Sequence, residues 1–120
     1  MTDEVRVVVV DDHPDAADML AAALEVEGYK VRSCGDGVQA LALIAEFRPQ
    51  LVLLDVDMPG MDGSELTRRL RELYGDEIVL LAISGRDPDD ERVGRTFEQV
   101  DHYFRKPVDL AVLRKIIHPV

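Results

Sequence analysis

Short apolar runs alternate with amphipathic stretches from one end of the chain to the other. Residues 5–10 (VRVVVV) are β-branched with a single break, as expected of a strand buried on both faces. Residues 15–27, rich in Ala and Leu, predict a helix stopped by Gly28. A weaker strand follows over 29–34. Asp36 is placed to cap a helix running to about residue 47, with Val38, Leu41 and Ala45 on one face, and Pro49 ends that segment. Residues 51–54 (LVLL) read as a third strand, and a turn-rich stretch covers 55–63. Residues 64–73 predict a helix with Leu66, Leu70 and Leu73 on one side and Arg68, Arg69 and Arg71 on a solvated one. A fourth strand covers 78–83. The helix expected over 88–99 is poor: its apolar positions are chiefly Val93 and Phe97, and Gly94 costs about 1 kcal/mol in a helix interior. Residues 102–105 form a short fifth strand, and 109–117 a last helix packed through Leu110, Leu113 and Ile117.

This alternation predicts an α/β fold of parallel strands with helices on both faces. A chain of 120 residues fits one domain, here 1–120, large enough to bury a core without disulfides or a structural metal. There are no internal repeats, linkers or low-complexity segments. In such folds ligands sit beyond the carboxyl ends of the strands, near the switch in strand order.

Composition removes several classes of function. The net charge of -10 argues against a surface built to neutralise nucleic-acid phosphates and against binding to anionic membranes. Cys34 is the single cysteine, which excludes an intramolecular disulfide and a cysteine-rich zinc site. It is expected to act as a small apolar side chain ending a strand. The N-terminus has no basic segment followed by a long apolar run, and no stretch is long enough to span a bilayer. A soluble protein in a reducing compartment, the cytoplasm, is the expectation.

The strand ends carry the candidate chemistry. The first strand runs into Asp11 and Asp12, the third into Asp55 with Asp57 two residues on, the fourth into Ser84, and the fifth into Lys106 and Pro107. Carboxylates gathered at one rim repel, so a proton, a lysine or a divalent cation must offset them. Oxygen ligands suit Mg²⁺, which accepts one or two carboxylates plus a phosphate and keeps several waters. A carboxylate is also a nucleophile toward phosphorus, and a cation, a lysine and a hydroxyl can take up the charge of a phosphoryl group in transit.

The segments VVVVDDHPD, LVLLDVDMPGMDG, LLAISG and YFRKPVDL resemble, in order, the four signature segments of response-regulator receiver domains of two-component signalling. The resemblance covers essentially the whole chain. It implies a doubly wound, flavodoxin-like (βα)5 fold with a five-stranded parallel sheet in the order 2-1-3-4-5. It further implies that Asp55 accepts the phosphoryl group and that Asp12 binds Mg²⁺ directly, Asp11 through water, with Asp55 and the backbone carbonyl of Asp57 as further ligands. Mn²⁺ could replace Mg²⁺. Ser84 would bond the phosphoryl oxygen, Lys106 would pair with its charge, Pro107 would follow in a cis peptide, and Tyr103 would turn inward on activation. The implied partners are a histidine kinase or histidine phosphotransfer protein, meeting the Ala-rich first helix, and a downstream protein. Such a domain is a signalling phosphoacceptor, not an enzyme, and assists only its own phosphorylation and dephosphorylation.

Each residue also has an ordinary reading. Asp11 and Asp12 could cap a helix, Ser84 could end a strand, and Lys106 could be a surface lysine. Tyr103 could be a packed aromatic. His13 is expected to be a loop residue without a metal role, and His102 and His118 carry no special case. Asp62 and Gly63 are expected as turn and helix-start residues. Asp57 and Arg86, each two residues past a signature residue, are expected to meet across the mouth of the site and gate hydrolysis. Where receivers often carry Gly-Ala before the fifth strand, this chain has Glu98, Gln99 and Val100. It ends at His118-Pro119-Val120 without an output domain, as a single-domain regulator or a piece of a larger protein such as a hybrid kinase would.

Three other functions compete. Asp55-Val56-Asp57 also looks like the DxD of haloacid-dehalogenase-type phosphatases, but there the nucleophile comes first and the paired acids last, the reverse of the order here. A receiver-like scaffold that is never phosphorylated would tend to lose one of the acids, Ser84 or Lys106. A flavin carrier would need a phosphate-cradling loop after the first strand, where DDHPD would repel phosphate.

Overall fold

The computed structural model describes residues 5–56, 63–85, 99–106 and 108–117. Five strands form one parallel sheet in the order β2-β1-β3-β4-β5: β1 (Arg6–Val10), β2 (Lys30–Cys34), β3 (Leu51–Asp55), β4 (Val79–Ser84) and β5 (His102–Arg105). Four helices are present among the described residues: α1 (Pro14–Val26), α2 (Gly37–Phe47), α3 (Gly63–Tyr74) and α4 (Leu110–Ile117). The alternation predicts parallel strands with helices on both faces, and the resemblance to receiver domains implies this flavodoxin-like strand order. The helix expected over 88–99 lies outside the described residues except for Gln99, which is in a turn. Among the described residues no helix is long and apolar enough to cross a membrane.

Strand side chains alternate between faces, so two cores share one sheet. Val8, Val10, Val52, Leu54, Leu80 and Ala82 pack with Ala40 and Ile44 of α2 and with Leu66 and Leu70 of α3. Val7, Val9, Leu51, Leu53, Leu81 and Ile83 pack with Ala17 and Leu24 of α1 and with Leu113 of α4. Each fully buried Val or Leu contributes about 1.5–3 kcal/mol relative to exposure. These central strands are rigid platforms for whatever their ends present. β2 is an edge strand with exposed Lys30, Arg32 and Ser33, and charge on an edge discourages pairing with another chain.

Local signals set the helix ends. Pro14 starts α1 with its φ already helical, and Gly28 beyond its end takes φ +100°, open to glycine at no steric cost. Asp36 caps α2 by accepting from the Gln39 N–H at 2.7 Å. Arg48 ends α2 at φ +52°, and the Arg6 guanidinium takes up the carbonyls of Phe47 and Arg48 at 2.7–3.0 Å. These are otherwise orphaned helix-end acceptors.

Three helix faces differ from expectation. On α2 the buried positions are Gly37, Ala40 and Ile44, while Val38 is 67% exposed and Ala45 is exposed. The helix is apolar nearly all round, so periodicity alone could not choose its face; its smallest residues let it approach the sheet. On α3 Leu73 is 64% exposed, and Thr67 takes the expected core place beside Leu66 and Leu70. Arg71 is not on a solvated face: it donates to the carbonyls of Gln99, Gly75 and Ile78 and to Asp101. On α4 Leu113 and Ile116 pack inward, whereas Leu110, in the first turn, is 38% exposed.

Candidate functional site

The register of the sheet brings the strand ends level. Val10 pairs with Leu54, Asp55 with Ile83, and Ser84 with Arg105. Backbone bonds carry the pairing one residue further at each step. Asp11 N–H donates to the Cys34 carbonyl at 3.0 Å, Val56 N–H to that of Ile83 at 3.0 Å, and Lys106 N–H to that of Ser84 at 2.9 Å. The residues after the last apolar positions are therefore held by the ladder, not left to a free loop.

Gly63 fixes the return of the chain from this rim. A Cβ there would lie 2.6 Å from Val56 Cα and 3.2 Å from the Asp55 carbonyl oxygen, so the start of α3 packs directly on the backbone that presents Asp55. The sequence placed Gly63 at the helix start only as an ordinary turn residue. A glycine at that position was the available sign of close backbone approach.

Asp55 is 2% exposed, and its Oδ2 accepts a hydrogen bond from Lys106 Nζ at 2.9 Å. One ligand atom each of Asp11, Asp12, His13 and Asp55 lies within 4.8 Å of the others. Asp11 Oδ1 accepts from the His13 N–H at 2.9 Å. Asp12 Oδ1 is buried and accepts no hydrogen bond among the described residues. Two unit charges 4 Å apart interact by about 4 kcal/mol at an effective dielectric of 20, so three carboxylates beside one lysine leave repulsion to be offset. Hard oxygen donors, an excess of negative charge and an orphaned carboxylate oxygen together fit a small divalent cation such as Mg²⁺.

Asp11, Asp12, Asp55 and Lys106 thus come together as the strand ends require. Ser84 is fully buried at the end of β4, next along that strand from the residue paired with Asp55. Tyr103 is half-buried on β5 and packs against the core that α2 and α3 cover. Asp57, Asp62, Arg86, Pro107 and His118 lie outside the described residues, and with them the expected mouth pair and cis peptide. Cys34 packs against the same core as Tyr103, and burial, with the Asp36 charge beside it, pushes its thiol up to about 11, so it stays protonated.

The comparisons agree with this fold. The family model of the response regulator receiver domain matches residues 7–118. The response regulator MprA of Mycobacterium sp. (strain KMS) is 43% identical over 109 residues, which are 91% of this chain and 47% of that protein. The chain spans about half the length of the curated relatives it matches. A CheY-like receiver domain from Methanospirillum hungatei superposes with a TM-score of 0.87 at 28% identity, over 96% of this chain and 91% of that one. The response regulator TrrA of Thermotoga maritima, solved in complex with Mg²⁺–BeF, gives 0.80 at 26% identity, over 94% of this chain and 96% of that one. A sheet in the order 2-1-3-4-5, an acidic rim at its switch point and a family match over nearly every residue leave one assignment: the chain belongs to the response regulator receiver domain family.

Proposed function

We propose that residues 1–120 act as a receiver domain that takes a phosphoryl group on Asp55 from the phosphohistidine of a kinase or phosphotransfer protein. The observation that carries this reading is a carboxylate 2% exposed, paired with Lys106 at 2.9 Å and within 4.8 Å of the ligand atoms of Asp11 and Asp12. An Asp55 oxygen attacks phosphorus in line with the departing imidazole nitrogen. The P–O bond forms as the P–N bond breaks, and the electron pair stays on the imidazole. The Lys106 ammonium follows the charge as it moves from the Asp55 carboxylate to the phosphoryl oxygens. The Ser84 hydroxyl donates to one of those oxygens. Asp11, Asp12, Asp55 and the Asp57 carbonyl would hold Mg²⁺ or Mn²⁺, which when bound supplies positive charge to the phosphoryl oxygens.

The phosphorylated state draws in Ser84 and, through β5, Tyr103, and so shifts the population of the face read by a downstream protein. The domain turns over no substrate of its own. It works in the cytoplasm, with neither nucleic acid nor membrane as partner. Incubation with a small-molecule phosphodonor and Mg²⁺, followed by intact mass measurement, gives one phosphoryl adduct that Asp55→Asn removes. No adduct, or an undiminished one in the variant, would sink this reading; phosphate released over many turnovers would favour a phosphatase instead.

A further inference from the structure

His13 is the residue at this rim that the function above leaves unused. Its ring Nδ1 lies 3.1 Å from Asp12 Oδ1 and 3.4 Å from Asp11 Oδ1, and it belongs to the group of four ligand atoms within 4.8 Å that includes Asp55. An ordinary imidazole–carboxylate hydrogen bond would account for such distances, but Asp12 Oδ1 accepts none. The distance suits an ion pair with a protonated ring, but the two atoms lack the geometry of a hydrogen bond. Neighbouring ligands of one ion at about 2.1 Å are separated by about 3.0 Å in an octahedral sphere and about 3.4 Å in a tetrahedral one. The His13–Asp12 and His13–Asp11 distances fall in that range. The backbone explains how the ring comes to be there: His13 N–H bonds back to Asp11 Oδ1 at 2.9 Å, and Pro14 starts α1 immediately after, which fixes the turn between acid pair and helix. The ring is 71% exposed, so it is open to an arriving ion and does not fill the core.

We propose that His13 is a nitrogen ligand of the acidic rim, and that it biases the site toward divalent transition metals such as Zn²⁺ over Mg²⁺. This rests on the reading that Asp11, Asp12 and Asp55 hold a divalent cation. Imidazole is a strong ligand for Zn²⁺ and its neighbours in the first transition row and a poor one for Mg²⁺, which prefers oxygen and keeps its waters. With His13 engaged, the rim offers mixed nitrogen and oxygen ligands, a set Zn²⁺ accepts. The three carboxylates thus bind Mg²⁺ through oxygen alone, and together with His13 they bind a softer ion through oxygen and nitrogen. Transition metal would then compete with Mg²⁺ for the site beside Asp55.

The test is calorimetric titration of the full chain with ZnCl₂ alone and with MgCl₂ alone, in wild type, His13→Ala and His102→Ala. The expected result is a loss of Zn²⁺ affinity in His13→Ala of about tenfold or more, since even outer-sphere partners of a metal contribute that much. Mg²⁺ affinity in His13→Ala, and both affinities in His102→Ala, stay within twofold of wild type. Visible absorption of bound Co²⁺ should change in His13→Ala as a nitrogen ligand is lost. Equal Zn²⁺ affinities in wild type and His13→Ala would overturn the proposal. So would a parallel loss of Mg²⁺ affinity, since His13 would then shape the rim without selecting the ion. If Mg²⁺ failed to bind even the wild type, the phosphoacceptor reading would fall while the Zn²⁺ comparison still decided the role of His13.

Discussion

Two cation–carboxylate pairs sit at the two ends of β4, with nearly equal lengths and opposite surroundings. At the amino end Arg71 meets Asp101 at 2.8 Å; at the carboxyl end Lys106 meets Asp55 at 2.9 Å. Asp101 also accepts from the Leu80 N–H at 2.8 Å, and Arg71 reaches the carbonyls of Gln99, Gly75 and Ile78. Here the charges are matched and the donors of the arginine are spent on carbonyls that need them. It is a clasp joining α3, the turn after it, β4 and the approach to β5. Asp55 instead shares its place with Asp11 and Asp12. One lysine does not balance three carboxylates, so negative charge is in excess among these four side chains. A cation–carboxylate pair thus serves as a structural tie in one setting and, under the proposed function, as the receiver of cation and phosphoryl group in the other.

The sharpest way to break this comparison is at the clasp. Arg71→Ala should lower unfolding free energy by about 3 kcal/mol, from charged hydrogen bonds lost and carbonyls left without donors. Urea denaturation measures it, and a loss under 1 kcal/mol would return Arg71 to the surface role its spacing suggested. Gly63→Ala is next, at about 2 kcal/mol, because the new Cβ would press on the Val56 backbone and something must shift. It should also slow phosphorylation from a small-molecule donor, since the displaced strand end carries Asp55. Unchanged rate and stability together would show that the close approach is not needed.

At the other pair the sign should reverse. In metal-free buffer Asp55→Asn is expected to raise unfolding free energy by about 1 kcal/mol, because it removes one of the crowded carboxylates. Lys106 is 37% exposed and can be hydrated in that variant. Mg²⁺ should raise the melting temperature of wild type and raise that of Asp55→Asn less, as expected for an ion that binds only the folded state. A destabilised Asp55→Asn would mean that Lys106–Asp55 is a clasp like the other pair.

The sequence made the rim legible and the clasp illegible, for a physical reason. Asp11, Asp12, Asp55 and Ser84 each come at the end of an apolar run, so the alternation that predicts the sheet also predicts where they meet. Arg71 and Asp101 sit on different elements with nothing periodic linking them, and Arg71 lies in a run of arginines whose other members pair along the helix, Arg68 with Glu72 and Arg69 with Glu65. Those are the solvated pairs that spacing foresees, worth about 0.3–0.5 kcal/mol each. The buried face of α2 was equally hidden, because a helix apolar nearly all round has no single stripe. His13 was legible as a neighbour of the acid pair, but its ring position depends on the turn made by Asp11.

The smallest expected effect separates the pairs by pH. Burial pushes the Asp101 carboxyl up, but the Leu80 N–H, the Arg71 guanidinium and the charge of His102 outweigh it and hold the group below the usual carboxylate range. A carboxyl whose folded-state value is depressed binds protons more weakly folded than unfolded. Its contribution is complete above the ordinary Asp value and is lost as pH falls through the folded one. Asp101 is 41% exposed, so solvent screens much of this and the change is modest. Urea midpoints followed from about pH 6 to about pH 3 should therefore fall more steeply in wild type than in Asp101→Asn, and the two should converge at the acid end. Parallel curves would mean that the Asp101 charge does little for the clasp, and that Arg71 holds this end of β4 through its carbonyl partners alone.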